Sequence, residues 1–372
     1  MAGPRFYIIG STHQRPVSRK TIFADGDSDS TFRDGVDIEL SHWVPNKTPA
    51  DFKADTSTGC CMRFAERHDT DRWDLAINNH LDVDGVLSIF TLVDPQFALA
   101  ERRTIIQAAE IGDFWGWGGA AGQVLFQGLT LLMDRLQGQQ VDIQEIYERC
   151  FERTRQLIDD GGDDDPAIGE GLGVLARSLE LVESGAIERH ELHRRFTHFH
   201  LPRDVVVGSE ELALRVPAFN APFGERIPLL PQVRNRRDHD RLQLVSIETD
   251  HGYHYDLCYP GYMWADTPDA WRPPGLSFSG SKNGYYYGFA PLDEAVLELE
   301  AAEGGAGRWR IADEVTPFST LSGRGFPVVL SFLDGDDRPA CSRLPLQRVA
   351  STLAAAFAPR RHGESILEET ER

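Results

Sequence analysis

One short polar segment holds the residue types that metal-dependent chemistry requires. His80, Asp82 and Asp84 stand on alternate residues and are followed by Gly85. Imidazole and carboxylate groups are ligands that divalent cations such as Mn²⁺ accept. The simpler interpretation is a helix-capping turn, because Asp caps helices and Asp-Gly is common in turns. One cap would leave His80 and Asp82 unexplained, so the spacing predicts a metal or catalytic site.

The flanking residues place this segment at the end of a strand. Residues 73–77 form a short apolar run typical of a buried strand, and residues 86–93 have the apolar density of a helix packed under a sheet. In open α/β sheets, ligands bind at the carboxyl edge of the strands. The pattern therefore predicts an α/β fold with its site at that edge.

Three other donors are predicted to reach the same edge. A strand over residues 21–24 runs into an acidic turn that supplies Asp27, and a strand over residues 36–40 is followed by His42. The acidic turn lacks the glycine and glutamate of a calcium loop, so we expect a single carboxylate from it at the site. Asp113 follows a predicted helix among apolar residues, where an unpaired carboxylate would be costly to bury. A bound cation would account for its position.

A run of hydroxyl residues precedes a helix that is predicted from Cys60. The run consists of Thr56, Ser57 and Thr58. Such side chains are good helix N-caps, which is the simpler interpretation. A helix N-terminus of this kind also suits an anion such as phosphate. Both roles stay open at this point.

The length of 372 residues predicts two domains. Residues 1–140 alternate strand-like and helical segments and form the α/β domain that carries the site. Residues 141–201 are predicted to be a helical connector, which ends in a His-rich helix over residues 188–200. Residues 202–372 contain short β-like runs separated by turns and form a second, sheet-rich α+β domain.

Composition and charge exclude several classes of protein. No apolar run approaches the ~20 residues that span a bilayer, so we expect a cytoplasmic protein without membrane contact. Five cysteines without CxxC spacing indicate neither a disulfide framework nor a structural zinc site. The formal net charge of -20 disfavours nucleic acid as a partner. A homo-oligomer stays open.

Several segments resemble motifs of the DHH phosphoesterase superfamily. Residues 80–88 resemble its first motif, in which a His-x-Asp-x-Asp-Gly-x-x-Ser sequence follows a buried strand. Residues 41–43 and the helix start at residues 54–58 are similar to the Asp-His-His motif and the Ser/Thr-rich segment that follows it. Residues 108–113 look like a later motif whose Asp bridges two metals.

This chain departs from the family pattern in two respects, and the resemblance covers roughly the first third of the chain. The segment at residues 41–43 precedes the Asp-x-Asp segment, whereas the Asp-x-Asp motif comes first in the family. That order implies a circularly rearranged arrangement of strands around the same sheet edge. The Asp-His-His motif is also reduced to Ser-His-Trp, which keeps only the middle His.

The resemblance implies a two-domain metal enzyme with a substrate cleft between its lobes. One or two Mn²⁺ or Mg²⁺ ions would be held by His80, Asp82, Asp84, Asp113, His42 and Asp27. The catalytic residues would be His80, Asp84 and His42. Asp113 would bridge the ions. Substrate contacts would come from Thr56, Ser57, Thr58 and Lys282, with Arg234, Arg236 and Arg237 as further cations.

The sequence therefore predicts a metal-dependent hydrolase, specifically a phosphoesterase that acts on a small phosphorylated molecule or nucleotide through a metal-activated water. Two alternatives stay open, because fold and metal do not determine the reaction type. One is a metal enzyme with redox or other hydrolytic chemistry, and the other is a non-catalytic ligand-binding protein. No GxSxG elbow and no GxGxxG fingerprint is present, so neither a serine hydrolase nor a dinucleotide enzyme is supported.

Overall fold

Two main β-sheets, each packed against helices, form the protein. The computed structural model describes residues 3–162, 165–277, 285–286, 288–304, 306–313, 320–321 and 324–358. The prediction of an α/β fold is confirmed. Across the described residues, no helix combines the length and apolar character needed to cross a bilayer.

The first sheet consists of four parallel strands: β1 (Arg5–Ile8), β2 (Thr21–Ala24), β3 (Ile38–Leu40) and β4 (Leu75–Asn78). Their order across the sheet is β1-β4-β2-β3. Every residue of β2 and β4 is buried, as is typical of parallel strands that are covered on both faces. Because all four strands run in the same direction, the segments that follow them meet at one edge of the sheet.

The helices of the first half pack around this sheet. They are α1 (Ser57–Arg67), α2 (Val83–Val93), α3 (Pro95–Ala100), α4 (Arg102–Phe114), α5 (Ala120–Gly138), α6 (Ile143–Asp160) and α7 (Pro166–Glu183). Short 3-10 turns lie at Ala50–Phe52 and Thr70–Arg72. Helix α2 is buried along almost its whole length. The sequence predicts Asp113 just past a helix. That prediction is wrong, because α4 continues to Phe114 and Asp113 lies in its last turn.

The second half contains ten strands and five helices among the described residues. The strands are β5 (Glu188–His193), β6 (Phe196–Leu201), β7 (Leu242–Thr249), β8 (Gly252–Cys258), β9 (Leu276–Ser277), β10 (Tyr285–Tyr286), β11 (Arg308–Ile311), β12 (Thr320–Leu321), β13 (Arg324–Gly325) and β14 (Val328–Leu333). The helices are α8 (Arg203–Val206), α9 (Glu210–Ala213), α10 (Pro231–Asp238), α11 (Ala290–Ala302) and α12 (Leu346–Ala356). Six of these strands form a mixed sheet in the order β11-β14-β8-β7-β6-β5, and the remaining four form two short pairs.

The predicted His-rich helix at the end of the connector is wrong. Residues 188–201 form the hairpin β5-β6, and β6 runs parallel to β7 inside the mixed sheet. Side chains alternate between the two faces of β6, so that Phe199 and Leu201 enter the core while His198 and His200 face the other side. Aromatic and β-branched residues at 196, 197 and 199 favour this strand over a helix.

One apolar core joins the two sheets. Phe199 and Leu201 of β6, Val233 of α10 and Ile247 of β7 belong to the same buried cluster as the helices around the first sheet. A second cluster lies on the other side of the mixed sheet, where β8 and β14 pack against α11 and α12. One face of the mixed sheet therefore packs against the helices of the first half.

His198 is one of two buried histidines on β6, the other being His200. Its Nε2 lies 2.7 Å from Ser246 Oγ, and His200 Nδ1 lies 3.0 Å from the same oxygen. Burial, together with the charges of His200 and His190, lowers the pKa of His198 from 6.5 to about 4, although Glu188 opposes this. The folded protein therefore holds His198 neutral at pH values where the unfolded chain is protonated.

We expect His198 to make the free energy of unfolding depend on pH. Between pH 6.5 and about 4 the unfolded chain binds more protons at this residue, so stability present above pH 6.5 is lost as the pH falls through that window. His198→Gln cannot be protonated, and its acid destabilisation should be smaller by about 2–3 kcal/mol. Urea unfolding across this range measures the difference, with the exposed His13→Gln, which does not contact His198, as control. Equal pH dependence in wild type and His198→Gln would contradict the expectation.

Candidate metal centre

The carboxyl ends of three neighbouring strands deliver the side chains of a buried polar cluster. Asp25 directly follows β2, His42 lies two residues past β3, and His80 lies two residues past β4. Asp82 caps α2 with its carboxylate, which accepts a hydrogen bond of 2.7 Å from the Gly85 amide. The predicted location at the carboxyl edge of a parallel sheet is the one that the structure has.

The first group of donors combines His80 with two carboxylates. His80 Nε2 lies 2.9 Å from Asp25 Oδ2 and 3.1 Å from Asp82 Oδ2. The other ring nitrogen, Nδ1, lies 2.7 Å from Asn79 Oδ1. Asn79 must present its oxygen there, because its Nδ2 donates to the Asp27 carbonyl at 3.2 Å. His80 therefore donates from Nδ1, and its Nε2 points at the carboxylates.

The second group has the same construction around His42. Its Nδ1 lies 2.7 Å from the Asp55 carbonyl oxygen, which can only accept a hydrogen bond. Its Nε2 consequently faces Asp113 Oδ2 at 3.3 Å, Asp84 Oδ2 at 3.5 Å and Asp25 Oδ1 at 3.9 Å. A histidine held through Nδ1 by a carbonyl, with Nε2 directed at carboxylates, has the orientation of a metal ligand.

Asp25 is common to both groups. The potential ligand atoms of Asp25, His80 and Asp82 lie within 4.8 Å of one another, and so do those of Asp25, His42 and Asp84. Two buried atoms, Asp25 Oδ2 and His42 Nε2, face charged groups at ion-pair distance but make no hydrogen bond of good geometry among the described residues. Buried polar atoms without partners are costly, and a cation in each group would satisfy them. The mixed imidazole and carboxylate set fits Mn²⁺.

The pKa values of the cluster show how strongly its charges interact. Burial disfavours the charged form of His42, but its contacts with Asp113, Asp84 and Asp25 raise its pKa to about 10. Burial opposes ionisation of Asp25 as well, yet His80 and His42 lower its pKa to about 2. Burial and the charge of Asp25 raise the pKa of Asp84 to about 6. The cluster therefore holds more negative charge than its two imidazoles can balance.

Asp113 completes the cluster from the last turn of α4. Burial and the charge of Asp84 raise its pKa well above its usual range. Its Oδ1 accepts a hydrogen bond of 3.1 Å from Asn220 Nδ2, and its backbone carbonyl accepts one of 3.3 Å from Trp264 Nε1. Both partners come from the second half of the chain, so that half fixes the position of this carboxylate.

The N-terminus of α1 is occupied by Asp84. The carboxylate accepts hydrogen bonds from the Ser57 and Thr58 amides at 2.9 Å and 2.8 Å. Thr56 is the N-cap, because its hydroxyl accepts from the Gly59 amide at 3.0 Å. The three predicted substrate-binding residues of this segment are buried, and the amides of Ser57 and Thr58 hold Asp84. Ser57 and Thr58 therefore position a carboxylate, and Thr56 caps the helix.

Asp25, and not Asp27, is the carboxylate that the acidic turn contributes. Asp27 is exposed and its side chain lies at the rim of the cavity beside the site. Asp25 is 3% exposed, and its Oδ1 accepts hydrogen bonds from Trp43 Nε1 at 2.8 Å and Ser57 Oγ at 2.9 Å. It adopts a φ of 59°, which is rare for a non-glycine residue. Its position as the first residue after β2 was the signal for it.

The predicted arginines of the second half do not line the cavity beside this site. Arg234, Arg236 and Arg237 line a different cavity, which is described below. The predicted Lys282 lies outside the described residues.

An open cavity of about 490 Å³ lies beside the first group of donors. His80 and Asp82 form its floor, and its apolar walls come from Trp43, Leu81 and Phe219. Its remaining lining residues are Gly26, Asp27, Asn79 and Asn220. None of these residues is Lys or Arg, so the described lining carries no cationic side chain except His80.

A family model described as a family of unknown function, DUF6687, matches residues 7–129. That range is about a third of the chain and contains all six members of the cluster. No curated protein and no solved structure matches the chain. The match assigns no chemistry, so the geometry of the cluster carries the functional argument.

We expect Asp25→Asn to lower the affinity for Mn²⁺ at least about 100-fold, because both donor groups lose the carboxylate that they share. The amide oxygen of the new side chain can still accept from Trp43 and Ser57, so the fold should persist. Asp27→Asn is the matched control and should bind Mn²⁺ like the wild type. Calorimetric titration of chelator-treated protein measures both. Equal losses in the two variants would show that Asp25 is not the ligand.

Glycine is required at position 85 because neighbouring side chains approach its backbone closely, and not because the chain turns there. It lies in the first turn of α2, and a Cβ there would come far inside van der Waals distance of Asn78 Nδ2 and 3.0 Å from Asp25 Oδ2. Gly85→Ala should destabilise the protein by about 1–3 kcal/mol and weaken Mn²⁺ binding. Gly169→Ala in α7 meets no atom within 4 Å and should stabilise by about 1 kcal/mol. Thermal unfolding of both variants tests this, and a stabilised Gly85→Ala would refute the close approach.

Proposed function

We propose that this protein is a metal-dependent phosphoesterase that uses one or two Mn²⁺ or Mg²⁺ ions to hydrolyse a small phosphorylated molecule or nucleotide. The observation that carries the proposal is the pair of donor groups that share Asp25. Each group offers an oriented imidazole nitrogen and carboxylate oxygens within 4.8 Å of one another. Two such groups on one shared carboxylate are the arrangement expected of a two-metal site.

The ions would supply the chemistry and the chain would supply the geometry. When bound, they would neutralise phosphoryl oxygens and lower the pKa of a water molecule enough for it to attack phosphorus. His42 and His80 keep Nε2 available because Nδ1 of each is held by a neighbouring oxygen. Asp84 is held at the N-terminus of α1 and Asp82 at that of α2, where the partial positive charge stabilises them.

The cavity favours a small substrate with one phosphoryl group near the ions. Its described lining has no Lys or Arg, so it offers no second site for negative charge. Trp43, Phe219 and Leu81 provide apolar surface for the organic part of the substrate, and Asn79 and Asn220 provide polar groups. A polyanionic nucleic acid fits neither this lining nor the net charge of -20.

The resemblance to the DHH phosphoesterase superfamily supports the same conclusion. The residues that carry it converge: the His-x-Asp-x-Asp segment, His42 and Asp113 meet around Asp25 at one sheet edge. The strand order β1-β4-β2-β3 brings the end of β4 beside that of β2, although β4 comes later in the chain. Motifs can therefore surround one site in this altered order.

We expect hydrolysis of phosphate monoesters or diesters by the Mn²⁺-loaded protein, and its loss in Asp113→Asn by at least about 100-fold. This variant can keep the hydrogen bond from Asn220, so the fold should be retained, as circular dichroism can verify. Asp27→Asn should keep wild-type activity. The measurement is the rate of hydrolysis of a panel of p-nitrophenyl phosphate monoesters and diesters and of nucleotides. Each is assayed with chelator and again after Mn²⁺ addition.

Two outcomes would contradict the proposed phosphoesterase activity. Turnover that survives complete metal removal would rule out a metal-dependent reaction. Stoichiometric metal binding without hydrolysis of any ester in the panel would favour a non-catalytic ligand-binding protein or a metal enzyme with other chemistry.

A further inference from the structure

A second cavity, of about 260 Å³, lies between α7, α10 and the strands β5 and β6. Its lining includes four arginines, which are Arg189, Arg234, Arg236 and Arg237. Leu179, Val182 and Phe199 contribute apolar surface. It shares no lining residue with the cavity beside the metal centre. This region is therefore a separate, cationic pocket in an otherwise acidic protein.

Two of the four arginines have carboxylate partners within the pocket. Arg189 donates to both oxygens of Asp238, at 2.7 Å and 2.6 Å. Arg236 pairs with Glu183. In each pair the carboxylate neutralises the charge of its arginine. Arg237 is exposed to water. Arg234 is the remaining cation of the pocket.

Arg234 is buried and lacks a partner for its charge. The residue is 4% exposed, and its Nε and Nη1 atoms have no hydrogen-bond partner among the residues that the structure describes. Within the described part of the chain, no ion pair reaches its guanidinium. An unpaired buried charge is strongly unfavourable, whereas a guanidinium binds carboxylate or phosphate oxygens with high geometric specificity.

The backbone of Arg234 is held in place from both sides. The preceding residue, Val233, is packed in the apolar core. The following residue, Asn235, donates from Nδ2 to the backbone carbonyls of Phe114 and Trp115 at 3.2 Å and 2.9 Å. These contacts fix the position of α10 at Arg234, and its buried side chain lines the pocket.

We propose that this pocket binds a small organic or inorganic anion through Arg234. The recognised chemistry is a phosphate or carboxylate group, and the apolar wall accommodates a short hydrocarbon portion. The site is independent of the metal centre and of the proposed phosphoesterase activity. It would bind its anion in the metal-free protein, where the carboxylate cluster repels anions from the metal centre.

Thermal unfolding and calorimetry of chelator-treated protein test the proposal. Inorganic phosphate and butyrate are the two probes, with sodium chloride at the same ionic strength as reference. Wild type should show a higher melting temperature with at least one probe, because an anion that binds only the folded state stabilises it. A larger shift with phosphate would identify a phosphoryl group as the preferred ligand, and a larger shift with butyrate would identify a carboxylate with an apolar body.

Arg234→Met should abolish the shift, and its melting temperature without anion should equal or exceed that of the wild type, because an unpaired charge is replaced by an apolar chain. Arg226→Met removes one exposed arginine outside the pocket and should respond like the wild type. Arg234→Lys keeps the charge without the guanidinium fork, and it should bind at least about 10-fold more weakly.

Two results would overturn the site. One is a wild type that responds to neither probe beyond sodium chloride. The other is an unchanged shift in Arg234→Met or unchanged affinity in Arg234→Lys. If Arg234→Met fails to fold, the affinity of Arg234→Lys decides the question.

Discussion

The close packing of four buried carboxylates around two imidazoles is the constraint on which this structure depends. Each carboxylate has a donor that keeps it in place: Trp43 and Ser57 for Asp25, the Gly85 amide for Asp82, the Ser57 and Thr58 amides for Asp84, and Asn220 for Asp113. The amide donors lie at the starts of α1 and α2, whereas Trp43 and Asn220 lie in loops. The fold thus places its partial positive charges where the negative charge collects.

The parallel sheet explains how residues distant in sequence meet. Asp25, His42 and His80 follow three different strands, and parallel pairing aligns the ends of those strands. The positions of His42 and His80 at this edge could be predicted, because buried strand patterns and the carboxyl-edge rule are both readable from sequence, whereas the prediction named Asp27 in place of Asp25. The predicted contribution of Asp113 also agrees with its place beside His42, although the helix that carries it is longer than expected.

Other features depended on contacts that no local pattern reveals. Asp25 and Asp27 flank a single glycine, and only the direction in which the turn leaves β2 decides which carboxylate is buried. The sequence predicts that the N-terminus of α1 could bind a phosphate. In the structure Asp84, twenty-seven residues after Ser57, accepts a hydrogen bond there. The histidines and arginines of the hairpin β5-β6 have only weak preferences for strand or helix. Pairing of β6 with β7 therefore decides its structure, and the sequence alone predicts a helix there.

Residues from the second half close the candidate metal centre. The Trp264 ring lies 5.0 Å from that of His42 and 4.9 Å from that of Trp43, and Phe219 lies 5.8 Å from Trp264. All six members of the cluster lie within residues 25–113, whereas Phe219, Asn220 and Trp264 lie far beyond them. The aromatic residues that close the cluster from outside therefore lie in a later stretch of the chain than the cluster itself, although Trp43 and Leu81 also line the cavity. A substitution at Phe219 would change the shape of that cavity while all six members of the cluster stay as they are.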